Sequence, residues 1–236
     1  MRCWSVAVSI SLIVLMSGCA QTSVPGNTPP TNSSADHITA PHVPATPVDA
    51  DTSADAATIV VRATGLELVD SESDILTTLS FSEPVEDVVA ELAVATGREP
   101  VIERYEGHDE APPGTLYEWD GLRLYNSDRT IGGPPLYAEW SAHVTAATVG
   151  HLAVRTATTI TAGMSQAGVD ERAPGTLSVL VGSEVDGEMM RGTYEETEVG
   201  RDEEGSVLTH SVHVRLSGSP LAVTLILSPV RNWGDH

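Results

Sequence analysis

From residue 58 the chain carries three short runs of aliphatic and β-branched residues: Thr58-Ile-Val-Val-Arg-Ala-Thr64, Gly65-Leu-Glu-Leu-Val69 and Ile75-Leu-Thr-Thr-Leu-Ser-Phe81. Runs of this length and composition predict strands, with the polar stretch Asp70-Ser-Glu-Ser-Asp74 as a turn between the second and third. The period then changes. Val85, Val88, Val89, Leu92 and Ala93 recur at helical spacing behind Ser82, Glu83, Glu86 and Asp87 stand near the positive end, and Gly97 follows the last turn. Together these features predict a firm helix over about 83–96.

Further strands are predicted at Val101–Tyr105, Thr115–Tyr125 with a tight turn at Asp120-Gly121, Leu136–Thr145, Leu152–Thr156, Leu177–Val181, Val207–Leu216 and Leu221–Leu227. A short second helix is expected over about 164–172, with Ser165 as its N-cap and with Gly168 and the nearby Pro174 limiting its length. The fold class expected is therefore α+β, mainly antiparallel sheet. Gly65-Leu-Glu-Leu-Val69 is echoed by Gly150-His-Leu-Ala-Val154 at an offset of 85 residues. This suggests two helix-plus-sheet half-repeats, 58–147 and 148–236, sharing one larger sheet. The pairing resembles the β-lactamase inhibitory proteins; no motif of that family maps onto residues here, so the resemblance implies an arrangement and no activity.

The first 57 residues read differently. Arg2 precedes an apolar stretch from Trp4 to Met16, followed by Ser17, Gly18 and Cys19. Residues 1–18 thus have the n-region, h-region and small-residue cleavage site of a signal peptide. The apolar run is too short for the roughly 20 residues that span a bilayer. Leu15-Met16-Ser17-Gly18-Cys19 resembles the lipobox of bacterial lipoproteins processed by signal peptidase II. That resemblance implies diacylglycerol on the Cys19 thiol and an anchor on the extracytoplasmic side of the cell membrane; an ordinary secretory leader cut nearby is the alternative. Residues 19–57 form the lipidated terminus and a Thr/Ser/Pro-rich tether without apolar period, expected to be disordered. Behaving as a coil, Ala20–Ala57 reaches about 30–40 Å. One domain, 58–236, follows.

Composition narrows the function classes. The chain holds 33 acidic against 12 basic residues, a formal net charge of −21, and every basic residue is arginine, a bias that fits a GC-rich coding background such as that of an actinobacterium. An acidic surface disfavours nucleic acid and polybasic docking on anionic lipid. The two cysteines are Cys3 and Cys19, so cleavage before Cys19 leaves one thiol and the domain must stand without a disulfide.

Candidate chemistry is sparse. Asp70-Ser-Glu-Ser-Asp74 begins like a calcium loop, but Ile75 and Phe81 stand where Gly and a bidentate Glu are needed, and Glu184–Glu188 and Asp202-Glu-Glu204 lack ligand spacing. No metal is expected. His210 and His213 are three apart on one predicted strand and point to opposite faces, with surface or edge positions expected for both. Gly163-Met-Ser165-Gln-Ala-Gly168 has one residue too many for a nucleophile elbow, and helix capping explains Ser165 better. There is no G-x-G-x-x-G or P-loop, so no cofactor is expected.

The aromatics remain. Tyr105, Tyr117, Trp119, Tyr125, Tyr137 and Trp140 fall within 36 residues, and alternation puts Tyr117 and Trp119 on one face. Tyr117, Trp119, Tyr125, Tyr137 and Trp140 are thus the candidate surface for an envelope glycan or protein; large residues of an aromatic-poor core are the alternative. A non-enzymatic binding module of the envelope is the leading expectation. A hydrolase acting on envelope material, using for instance His108, Asp109 and Glu110 near a serine, is the second, and a structural wall protein the third. Cys19→Ser is expected to block maturation and lipid labelling in the native host; a variant processed and retained in membranes as before would contradict the lipobox reading.

Overall fold

In the computed structural model the residues described are 52–108, 112–128, 138–180, 189–203 and 205–232. The leader, Cys19 and most of the tether lie outside them, as do Asp109, Glu110, Tyr137, the acidic cluster 184–188 and Glu204. The first half of the described chain contains β1 (Thr58–Val61), β2 (Gly65–Val69), β3 (Ile75–Ser80), helix α1 (Val85–Thr96), β4 (Val101–Tyr105), β5 (Gly114–Trp119), β6 (Leu122–Ser127) and β7 (Trp140–Val144). The second contains β8 (Thr148–Val149), β9 (Leu152–Thr156), α2 (Gln166–Arg172), β10 (Leu177–Leu180), β11 (Met189–Arg201), β12 (Val207–Ser217) and β13 (Ala222–Asn232).

These strands make two sheets. The smaller has the order β3-β2-β1-β9-β8 and the larger β10-β11-β12-β13-β7-β6-β5-β4. All pairings are antiparallel except β1 with β9, which run parallel in the register Ile59↔Val154. The class is α+β with antiparallel sheet dominant, as the residue patterns predict. Each helix is followed by a link of equal length, Gly97–Pro100 or Ala173–Thr176, and then by four strands in meander order. The two meanders meet at β7 and β13, where Ala142 pairs with Ser228, His143 with Leu227 and Val144 with Ile226.

Local chemistry explains the helix ends. Gly97 takes the left-handed conformation (φ 71°), and the Arg98 and Gly97 amides bond to the Ala93 and Val94 carbonyls, closing α1 with a Schellman-type cap. The start differs from expectation by two residues. Glu83 turns back to accept from the Ser80 amide, and Pro84, with extended ψ, occupies the cap position without a side-chain bond, so Ser82 caps nothing. In α2, Ser165 Oγ does accept from the Gly168 amide at 3.3 Å. At Asp70 the carboxylate accepts from the amides of Glu72 and Asp74, which makes that acidic stretch a β2–β3 turn. Folded structure begins before Ala57: Thr52–Asp55 forms a single 3₁₀ turn, Ser53 and Ala56 are buried, and Ser53 Oγ donates to Glu91. Ordered chain thus reaches back at least to Thr52, ahead of the expected domain start at residue 58.

One core joins the two sheets and both helices. Val85, Val88, Leu92 and Ala95 of α1 pack with Ile59, Val61, Leu66 and Leu68 of the small sheet and with Trp119, Leu122, Leu124 and Trp140 of the large one. Polar groups also cross it. Arg62, in the β1–β2 turn, bonds Glu67 at 2.9 Å and Glu195 of β11 at 2.7 Å, and its carbonyl accepts from Ser228 Oγ of β13 at 2.7 Å. Glu195 reaches Arg62 because β11 bulges between Tyr194 and Thr197, where Glu195 adopts φ 48°. A bulge re-aims a side chain in this way, and the bond to Arg62 and the Ala63 amide offsets the strain of a left-handed non-glycine residue.

Trp119 is fully buried and its indole N–H donates to the Arg98 carbonyl at 2.9 Å, tying β5 to the end of α1. Trp119→Ala is expected to lower stability by about 3–5 kcal/mol in chemical denaturation. A loss under 1 kcal/mol would show that the core does not close over this ring.

A candidate ligand cavity on the open face of the large sheet

Alternation along the central strands of the large sheet sends Leu122, Leu124, Ala142, Val144, Val214 and Ile226 into the core. Arg123, Tyr125, Ser141, His143, His213 and Leu227 therefore face the other way. None of the described helices or strands packs on that side, so the sheet has one covered and one open face, the usual state of an antiparallel sheet.

Near the β7–β13 junction the open face holds a cavity of about 200 Å³, lined among others by Tyr125 and Ser127 of β6, Glu139, Ser141 and His143 in and before β7, and Leu227, Pro229 and Arg231 of β13. The Tyr125 ring is fixed by its neighbours. Tyr105 meets it edge to face at 5.9 Å, its hydroxyl donates to the Pro112 carbonyl, and on the β5 side stands Gly114, where a Cβ would lie 2.6 Å from the ring. A Cβ at 114 would also lie 2.3 Å from the Asn126 carbonyl oxygen, so only glycine fits between β6 and the ring. Across the cavity Arg231 is half-buried, and burial lowers its pKa from the ordinary arginine value. Burial, with the charge of Arg123 second, holds the His143 imidazole below its ordinary value; burial does the same to His213, with Arg191 adding to it and Glu196 opposing. His143 is thus a neutral donor–acceptor at physiological pH.

The aromatic residues named from the sequence are separated by the sheet. Tyr117 and Trp119 do share a face, but it is the inner one: Trp119 and Trp140 are 0% and 1% exposed, Trp140 packs edge to face on Phe81, and Tyr117 is half-buried against the core. Trp119 and Trp140 are therefore core residues, though Trp140, at the start of β7, is also among the residues that line the cavity. Alternation decides which side chains share a face; the covering α1 and small sheet decide which face is buried. Tyr125 alone of the described candidates lies on the open side, and Tyr137 is outside the described residues. No family model, curated protein or solved structure matches this chain. The site rests on its own geometry.

The histidine expectation also changes. His210 is 4% exposed on an internal strand, not at a surface or an edge, because β12 lies between β11 and β13; His213 is half-buried on the open face. The residues missed by sequence reasoning are Ser141, His143 and Arg231. Their one legible sign is the alternation of Trp140-Ser-Ala-His-Val144, which sets Ser141 and His143 side by side. What brings Arg231 to them is the long-range pairing of β7 with β13.

Among the described residues no group of three His, Cys, Asp or Glu side chains is placed to hold a metal. The cavity offers instead an aromatic edge, an apolar floor of Leu227 and Pro229, and hydroxyl, imidazole and guanidinium groups at its walls. At about 200 Å³ it takes one small group of a larger ligand, since sites enclosing a whole small molecule run to about 300–1,000 Å³.

The two depressed imidazoles give a pH dependence. Unfolded histidine takes up a proton near pH 6.5, whereas the folded His143 and His213 resist it, so the unfolded state binds more protons and stability falls as pH drops below about 6.5. Thermal denaturation between pH 7.5 and 5 is expected to show a decline that is reduced in the His143→Gln, His213→Gln double variant. An unchanged slope would show that these rings are not desolvated.

Proposed function

We propose that this protein is a lipid-anchored binding module of the bacterial cell envelope, held through Cys19 on the extracytoplasmic side of the membrane, and that the cavity on the open sheet face is where it engages a glycan or protein of the envelope. The observation that carries the reading is the pairing of a fixed Tyr125 ring with Ser141, His143 and Arg231 around a recess too small to enclose a whole ligand. An exposed aromatic edge beside directed donors suits a sugar ring or a peptide side chain. Among the described residues no helix is long and apolar enough to cross a membrane.

A second reading has one observation in its favour. Glu139, Ser141 and His143 alternate along one stretch of chain and line the same cavity, the residue types of a nucleophile, a base and an orienting acid. Side chains two apart on a strand can meet, but among the described residues no hydrogen bond joins Ser141 to His143, the contact a nucleophile and its base need, and binding is therefore favoured over hydrolysis.

Titration of the full-length chain with disaccharide–peptide fragments of the cell wall separates the two. Tyr125→Ala is expected to weaken binding by about 10- to 100-fold, as loss of an aromatic anchor does, with the fragments recovered intact. Equal binding by Tyr125→Ala would contradict the cavity as the site, and fragment cleavage lost in Ser141→Ala would favour the hydrolase.

A further inference from the structure

Six large apolar side chains are exposed among the described residues, and three of them, Val94, Val101 and Ile102, lie at one corner of the fold. β4 is the outermost strand of the large sheet, with β5 on one side and nothing described on the other. Ile102 pairs with Tyr117 and so stands on the inner face, beyond the part of that face that α1 covers. Val101 pairs with Glu118 and stands on the open face. Both are 62% exposed.

Beside this edge α1 turns an apolar stripe outward. Val89, Ala90, Ala93 and Val94 line an open groove bounded by Glu86, Arg98 and Glu99. The groove adjoins the strand: its lining runs on from α1 through Gly97, Arg98 and Glu99, two residues before β4 begins.

We propose that β4 and the α1 groove form a docking edge for an extended segment of a partner protein, added antiparallel or parallel as a ninth strand, with apolar side chains alternating with basic ones. The two-sided exposure carries the choice of a strand. Val101 and Ile102 point to opposite faces, so a helix or surface laid on one face covers only one of them; a strand alongside β4 flanks both, with its apolar side chains beside Ile102 on the inner face and its basic side chains beside Val101 and Glu103 on the other, and takes up the free backbone donors and acceptors of the edge. Charge carries the choice of chemistry. Glu86 and Glu99 border the groove and β4 carries Glu103, while Arg98 is bonded to Asp120 and Arg104 to Asp128. A net charge of −21 opposes a second copy of this chain or anionic lipid at the same place and favours lysine or arginine in the partner.

The test uses the full-length chain and a synthetic peptide alternating valine with lysine. Binding is expected with slowed hydrogen exchange of the Val101–Tyr105 amides. It is expected to weaken about tenfold or more in Ile102→Lys, to survive in Ile75→Lys at the edge of the other sheet, and to vanish for the valine–glutamate peptide. Ile102 is outside the core, so unchanged thermal stability of Ile102→Lys certifies its fold. Equal binding of both peptides, no binding of either, or insensitivity to Ile102→Lys overturns the proposal. So does a concentration-dependent dimer that Ile102→Lys dissolves, since the occupant is then a second copy. Tyr125 meets β4 through Tyr105, three residues beyond Ile102, so Ile102→Lys and not Tyr125→Ala is the variant that reads this edge.

Discussion

Three residue pairs, Ala142 with Ser228, His143 with Leu227 and Val144 with Ile226, join two four-stranded meanders into one sheet. β7 is only five residues long and β13 eleven, so this seam is the shortest junction between central strands of the large sheet, yet everything else is arranged about it. On its inner side Ala142, Val144, Ile226 and Ser228 are all buried. On its outer side His143 and Leu227 bring β7 and β13 together in the cavity. A gap in the pairing here would leave each meander with an uncovered edge in the middle of the core, which is the arrangement that antiparallel sheets otherwise avoid.

The small sheet secures the seam from behind. Ser228 is fully buried and donates its hydroxyl proton to the Arg62 carbonyl, while the Arg62 guanidinium holds Glu67 in its own sheet and Glu195 in β11. A buried polar group is tolerable only when bonded, so these contacts fix the position of the β1–β2 turn over the seam more narrowly than apolar packing does. The Arg62 guanidinium is held further in its charged form by Glu195, whose hydrogen bond outweighs the cost of burial. Because this tie lies entirely on the inner side, the outer side is left open for Tyr125, Ser141, His143 and Arg231. The open face and its cavity follow from how the core is closed.

Features set by neighbours in sequence are legible without a structure. Gly97 ends α1, Ser165 starts α2, Asp70 folds the β2–β3 turn and Asp120-Gly121 joins β5 to β6, each through contacts spanning a few residues. β11 is not legible, although it is the longest strand, because Gly192, the run of Glu residues and the bulge at Glu195 interrupt its alternation. The half-repeat is only faint at a fixed offset, since β11 and β12 are about twice the length of their counterparts β5 and β6 and shift everything after them. For the site, the pattern correctly pairs Tyr117 with Trp119 but cannot say that their shared face is the buried one. Arg231, nearly ninety residues from His143, joins the cavity only through the seam.

Native-state hydrogen exchange of the full-length chain tests the seam most directly. If β7 and β13 bind the meanders into one cooperative unit, the amides of Ala142, Val144, Ile226 and Ser228 exchange with the same free energy as the buried amides of Leu124 and Val214, one in each meander, and that value equals the global free energy of unfolding. Separate values for the two meanders, with the seam exchanging at the lower, would show that the halves open independently and would contradict this account.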